Sequence, residues 1–136
     1  MENGYISLET HDRLLKAGLD EFYEYGYRRA SLPFEDGTFD AAVSNFVFHE
    51  VRTEPDKRNV VREALRVVKK GGVFAFHDLF EQRQIYGDME EFIAALKAEG
   101  ISEIQYIPHT EQLECIPGYV KAPWLLSELG MLYGVK

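Results

Sequence analysis

The chain has a single cysteine, Cys115, among its 136 residues. No internal disulfide can therefore hold it, a reducing compartment suits it, and packing filler is the expected role of the thiol. Long apolar runs are missing too: none approaches the roughly 18 to 20 residues that cross a bilayer. The opening MENGYISLETHD lacks the basic flank and apolar stretch of a secretory signal. A cytoplasmic location with no membrane partner is the expectation. Positive charge is scarce, since 15 Lys and Arg stand against 23 Asp and Glu for a net charge of -8. A sequence-independent grip on nucleic acid needs a basic surface, which the short pairs Arg28-Arg29 and Lys69-Lys70 do not supply. Internal repeats and low-complexity tracts are absent. Before Ala30 the glycines Gly4, Gly18 and Gly26 stand apart from one another, so no glycine-rich turn can form there.

What is present is a globular composition, 46% hydrophobic with 28% charged residues, which excludes the disordered class. One domain with one core is expected over residues 1–136, since a chain of this size buries roughly 68% of its unfolded surface on folding. The most informative stretch runs from Ala30 to Phe80. Phe39 to Phe48 is nearly all apolar and rich in Val and Phe, as a strand covered on both faces should be, and Val73 to Phe76 is a second such run. Between them Val60, Val61, Ala64, Leu65 and Val68 recur at helical spacing. Thr53 is the expected cap, with Asp56 three residues on at the positive end of the helix. Lys69-Lys70 suit the negative pole, and Gly71-Gly72 supply a left-handed stop. Strand, helix, strand is the unit that builds a parallel sheet.

The phrase ASLPFEDGTFDAAVSN, the helix ending REALRVVKKGG and the strand VFAFHD resemble the middle of class I S-adenosylmethionine-dependent methyltransferases, in particular the type 11 group. The resemblance is close over residues 30–80 and looser on either side. It implies an α/β fold with a three-layer Rossmann-like methyltransferase sheet whose last strand, within LLSELGMLYGVK, inserts antiparallel beside the VFAFHD strand. It also implies that the chain begins inside the family's second helix. The first strand with its glycine-rich turn, and the second with its acidic ribose-binding end, are then missing, so the sheet is incomplete on its N-terminal side.

Outside the central stretch, residues 7–18 read as a helix with Ser7 as cap and Leu8, Leu14 and Leu15 as apolar anchors. DEFYEYGYRR fits either a continued helix or an alternating strand, and the resemblance favours a strand. Further on, a helix is expected from Asp88 to Glu99 with Phe92, Ile93 and Leu96 as its stripe and Gly100 as its stop. A strand from Ile101 to Ile107, closed by Pro108, follows it. Pro117-Gly118 signals a turn.

Ligands of open parallel sheets bind beyond the carboxyl ends of the strands, which singles out Ser44, Asn45, Phe46, His49 and Glu50 after one strand and His77 and Asp78 after the next. The resemblance places Ala30, Ser31 and Leu32 near the adenine of S-adenosylmethionine and Ser44, Asn45 and Phe46 at its methionine end, and His49 joins them as a cofactor candidate. Bland readings stand beside these: Phe46 and Phe48 suit a core, and Ser44 can satisfy a backbone group. Arg28 departs from the family, which usually has an acidic residue there to accept from the adenine amino group, whereas a guanidinium only donates. His49, Glu50, His77 and Asp78 are metal-ligating types, but loop histidines near a pocket mouth are the preferred reading, and no metal is expected. Either histidine can serve as a general base where the substrate has a proton to lose. Methyl transfer itself asks mainly for alignment.

Removing the first strand exposes the edge of Phe39 to Phe48, an apolar template for pairing. A homodimer that covers this edge is therefore expected. Two functions remain in view at this point. One is methyl transfer from S-adenosylmethionine to a small acceptor. The other is a non-catalytic dimeric or regulatory module on the same fold.

Overall fold

The structure, a computed structural model, describes residues 31–119, 121 and 127–136. The readings made for residues 7–18 and 20–29, and those for Arg28 and Ala30, lie outside the described residues.

The elements in order are β1 (Phe39–Asn45), a 3-10 turn (Phe48–Glu50), α1 (Lys57–Arg66), β2 (Val68–Asp78), the short α2 (Arg83–Tyr86), α3 (Met89–Ala98), β3 (Glu103–Pro108), a second 3-10 turn (Thr110–Gln112) and β4 (Gly130–Val135). They form an α/β fold around one four-stranded sheet in the order β1-β2-β4-β3. β1 and β2 run parallel, as the crossover through α1 requires, and β4 inserts antiparallel between β2 and β3.

Alternation along the strands assigns the two faces of the sheet. Phe74 and Phe76 of β2, Ile104 of β3 and Leu132 of β4 join Val60, Val61 and Leu65 of α1 and Phe92 and Leu96 of α3 in one core. Each such side chain contributes about 1.5–3 kcal/mol by leaving water. The helices meet over this face, where the Arg62 guanidinium lies 5.2 Å above the Phe92 ring and binds Glu99. The opposite face presents Ala41, Val43, Val73, Ala75, Ile107, Met131 and Tyr133 around a shallow groove of about 570 Å³. No helix among the described residues covers it.

Four expectations about the strand–helix–strand unit need correction. β1 ends at Asn45, not Phe48, because Phe46 turns left-handed at φ 55°. It is also not covered on both faces: Val43 is 83% exposed, since it projects on the face that no helix among the described residues covers. The cap of α1 is Asp56, not Thr53, its carboxylate accepting from the Arg58 amide at 3.0 Å while pairing with the Arg58 guanidinium. Finally, α1 stops at Arg66, so Lys69 to Gly72 lie in β2 rather than on a helix end. There β1 advances two residues, Phe39 to Ala41, while β2 advances five, Val68 to Val73. Gly71, at φ 81°, absorbs part of this bulge.

With the lysines moved away, the negative pole of α1 is served from the far end of the chain. Lys136 donates through Nζ to the carbonyls of Arg66 at 3.1 Å and Val68 at 2.8 Å. α3 follows its sequence closely, with Asp88 capping two amides and Gly100 leaving at φ 105°. Cys115 is exposed, not packed, because it sits in a turn just after the second 3-10 turn.

Candidate functional site

β1 and β2 run parallel, so their carboxyl ends reach the same rim, where the 3-10 turn and the residues after β2 meet. Alternation then separates the candidate side chains. Asn45 projects on the open face and Ser44 on the helix-covered face, in step with Ala42. The Ser44 Oγ is buried and has no hydrogen-bond partner among the described residues.

On the open side Asn45, Phe46 and His77 form one cluster. The Phe46 amide donates to the His77 carbonyl at 2.8 Å, and the two rings lie 4.7 Å apart. A left-handed phenylalanine is strained by about 1–3 kcal/mol, and such positions gather at functional turns. The imidazole is held at both nitrogens: Nδ1 lies 3.0 Å from Asn45 Oδ1, and Nε2 lies 2.7 Å from the Oγ1 of buried Thr110. The neutral tautomer fits this pattern, with Nδ1–H donating to Asn45 and Nε2 accepting from Thr110. Burial agrees, because it pushes the pKa of His77 down against the opposing charges of Asp78 and Glu111.

On the helix side His49 and Asp78 form a second cluster. Asp78 is fully buried. Its Oδ2 accepts from the Phe48 amide at 2.9 Å, and its Oδ1 accepts from the Leu79 amide at 2.8 Å and lies 2.6 Å from His49 Nδ1. The second imidazole nitrogen, Nε2, is 3.3 Å from the exposed carboxylate of Glu50. Behind Asp78, the buried Tyr86 hydroxyl makes no hydrogen bond of ordinary geometry among the described residues. Burial first, and the Asp78 charge second, push its pKa far up, so it stays protonated.

Ser31 and Leu32 are placed elsewhere. The Leu32 amide donates to Glu63 Oε1 at 2.6 Å and the Leu32 carbonyl accepts from Arg66 at 3.1 Å, which clips this segment to the second half of α1. Arg66 holds the Glu63 carboxyl below its usual range, with help from the Leu32 amide. The structure thus brings together Asn45 and Phe46 with His77, and His49 with Asp78. Ser31 and Leu32 stand apart from both clusters, and Ala30 lies outside the described residues. Among the described residues, no group of three His, Cys, Asp or Glu side chains could hold a metal ion, since each histidine is engaged by a different set of partners. Thr110 and Tyr86 escaped the sequence reading, and no local signal marks them: Thr110 is 33 positions from His77 and meets it only through β4 and β3.

A sequence model of the family described as methyltransferase domain matches residues 10–76. Those residues, just under half of the chain, are similar to that family. The match takes in β1, α1 and most of β2, and stops just short of His77 and Asp78. Among proteins of known function, the chain is 38% identical over 71 residues to an arsenite methyltransferase of Aquipseudomonas alcaligenes, covering 51% of this chain and 20% of that protein. It is 30% identical over 98 residues to a sarcosine/dimethylglycine N-methyltransferase of Halorhodospira halochloris, covering 60% of this chain and 34% of that one. The chain thus spans about a fifth and about a third of these relatives. In fold, it resembles a SAM-dependent methyltransferase of Thermotoga maritima at a TM-score of 0.50 and 19% identity, over 79% of this chain and 60% of the other. The methyltransferase-like sheet with its inserted antiparallel strand is therefore common ground. No helix among the described residues is long and apolar enough to cross a membrane.

Proposed function

We propose that the chain takes part in methyl transfer from S-adenosylmethionine to a small acceptor. The observation that carries this reading is the match of residues 10–76 to the methyltransferase domain, which ends within the strand that holds His77 and Asp78. The residues present suit the methionine half of the cofactor. Asn45 uses its carbonyl oxygen on His77 and its NH2 has no partner among the described residues, while the Phe46 ring gives an apolar wall beside it. A carboxylate-bearing amino acid needs such a donor at the rim. Ser31 and Leu32 are the described residues assigned to the adenosine half. Ser44 would act through its backbone, because its hydroxyl lies on the other face.

S-adenosylmethionine supplies an electrophilic methyl group at the sulfonium sulfur. The chain's own part is to hold the amino-acid end at Asn45 and Phe46 and to shield the reacting atoms from water. Calorimetric titration of the full chain with S-adenosylmethionine and its demethylated product tests this. Micromolar binding, weakened at least tenfold by Asn45→Ala, is expected. Absence of heat up to millimolar ligand would remove the reading.

We also propose a homodimer and a cytoplasmic setting. The dimer is supported by the exposure of the edge strand β1, whose Val43 is 83% and Phe39 38% exposed. Sedimentation at micromolar concentration should give twice the mass of one chain, and a monomer would refute it.

A further inference from the structure

We propose that His77, braced by Thr110, is a positioning residue for Asn45. It turns the carboxamide so that the NH2 group, and not the oxygen, faces the open side of the rim. The group selected there is the carboxylate at the amino-acid end of the cofactor. This inference rests on the methyltransferase reading and deepens it.

Asn45 ends β1, and His77 stands opposite it in β2. A carboxamide alone at a strand end is ambiguous, because rotation about its last bond is broad and exchanges a donor for an acceptor. Presented to a carboxylate, one orientation attracts and the other repels. Among the described residues the His77 ring makes the choice, with Nδ1 at 3.0 Å from Asn45 Oδ1.

The direction of that bond is set from the far side of the ring. Thr110 is 3% exposed, and its hydroxyl meets no acceptor among the described residues except His77 Nε2, at 2.7 Å. Its hydrogen goes to Nε2, since the other tautomer would orphan a buried hydroxyl hydrogen. Nε2 then carries no hydrogen and Nδ1 carries one, so Asn45 must answer with its oxygen. The NH2 group is thereby turned away from the ring. Burial, against the opposing charges of Asp78 and Glu111, lowers the pKa of His77 and keeps the ring in the neutral form that this relay needs.

Both ends of the relay are stiff. The Thr110 amide donates to the Leu129 carbonyl at 3.2 Å, and the Leu129 amide donates to Glu111 Oε2 at 3.2 Å, which ties the second 3-10 turn to the residue that leads into β4. At the other end the His77 carbonyl accepts from the Phe46 amide, and the two rings pack together. One residue of β2 therefore sets both Asn45 and Phe46.

The test separates polarity from packing. His77→Phe keeps a ring against Phe46 and removes both nitrogens, whereas His77→Asn gives up the ring and keeps a donor near the place of Nδ1. Calorimetric titration of the full chain compares S-adenosylmethionine with its decarboxylated form, which lacks only the carboxylate. The parent should prefer the carboxylated ligand about tenfold or more. His77→Phe should cut that preference to about threefold or less, Thr110→Val should narrow it, and His77→Asn should keep most of it. In the Asn45→Ala background, His77→Phe should change S-adenosylmethionine affinity by under about twofold. Nitrogen-15 long-range NMR of the labelled chain without ligand, with the His77 signals assigned by their loss in His77→Phe, should show Nδ1–H. A loss shared equally by the two ligands, an additive loss in the double variant, or an Nε2–H ring overturns the proposal. Binding of neither ligand by the parent removes the methyltransferase reading and this inference with it. Binding that the His77 and Thr110 variants leave unchanged removes this inference alone.

Discussion

Asp78→Asn is the substitution whose cost the structure defines most fully. The carboxylate meets three donors and no acceptor: Phe48 N–H at Oδ2, and Leu79 N–H and His49 Nδ1 at Oδ1. A carboxamide offers one oxygen. If that oxygen keeps the two donors at the Oδ1 position, the NH2 group faces the Phe48 amide, and two buried donors confront each other. An orphaned buried N–H costs about 1–3 kcal/mol. The two surviving bonds lose the charge that made them roughly twice as strong as neutral ones. Together these give about 3–5 kcal/mol, in line with breaking a buried ionic contact, out of a total of about 5–15 kcal/mol for a domain. In urea unfolding followed by far-UV circular dichroism, the midpoint should fall by about 2 M with an unchanged slope. His49→Ala, which removes one charge-assisted bond from a partly exposed ring, should cost about 1.5–3 kcal/mol. In the Asp78→Asn background the same change should cost under about 1 kcal/mol. An Asp78→Asn protein within about 1 kcal/mol of the parent would show that this carboxylate anchors nothing, and the geometry assigned to the 3-10 turn would be wrong.

Other outcomes follow from the same contacts. Gly134→Ala should destabilise strongly, by about 3 kcal/mol or more, because a Cβ there would overlap the Glu103 carbonyl across the β3–β4 pair. Thermal melts would show it, and a normal melt would contradict the register. Lys136→Met should cost about 1–3 kcal/mol by stripping the Arg66 and Val68 carbonyls of their charged donor, and added salt should not mimic the effect. His77 is depressed in the folded protein below its ordinary value of 6.5, chiefly by burial. The unfolded chain therefore binds its proton first, and the stability this group contributes is complete above pH 6.5 and lost as the pH falls toward the lower folded value. His77→Gln should flatten that part of the stability–pH curve, and an unchanged slope would rule the assignment out.

Much of the architecture was legible along the chain. α3 appears where Asp88, the Phe92 and Leu96 spacing and Gly100 place it, because cap, stripe and stop are all local signals within one short segment. The strand–helix–strand unit and the antiparallel last strand followed from the apolar runs and from the resemblance of residues 30–80 to methyltransferases. Local signals also misled where two devices competed for the same role. Thr53 and Asp56 are both competent caps, and Asp56 wins because it also pairs with Arg58. Lys69 to Gly72 look like a helix end, yet the backbone spends them on a bulge in β2 while Lys136 serves the helix from the far end of the chain. Cys115 looked like core because thiols usually are, but nothing in a sequence reports the irregular path that leaves it in solvent.

By itself the sequence determined the class of fold, the unit that carries the rim and the residue types gathered there, since periodicity and turn chemistry act over a few residues. Only the tertiary structure decided which partners each histidine meets. That choice depends on Asp78 and Thr110, which approach His49 and His77 from 29 and 33 positions away. The alternation of a strand sends neighbouring side chains to opposite faces, so Ser44 and Asn45 part company although they are adjacent, and residues distant in the chain become the partners that matter.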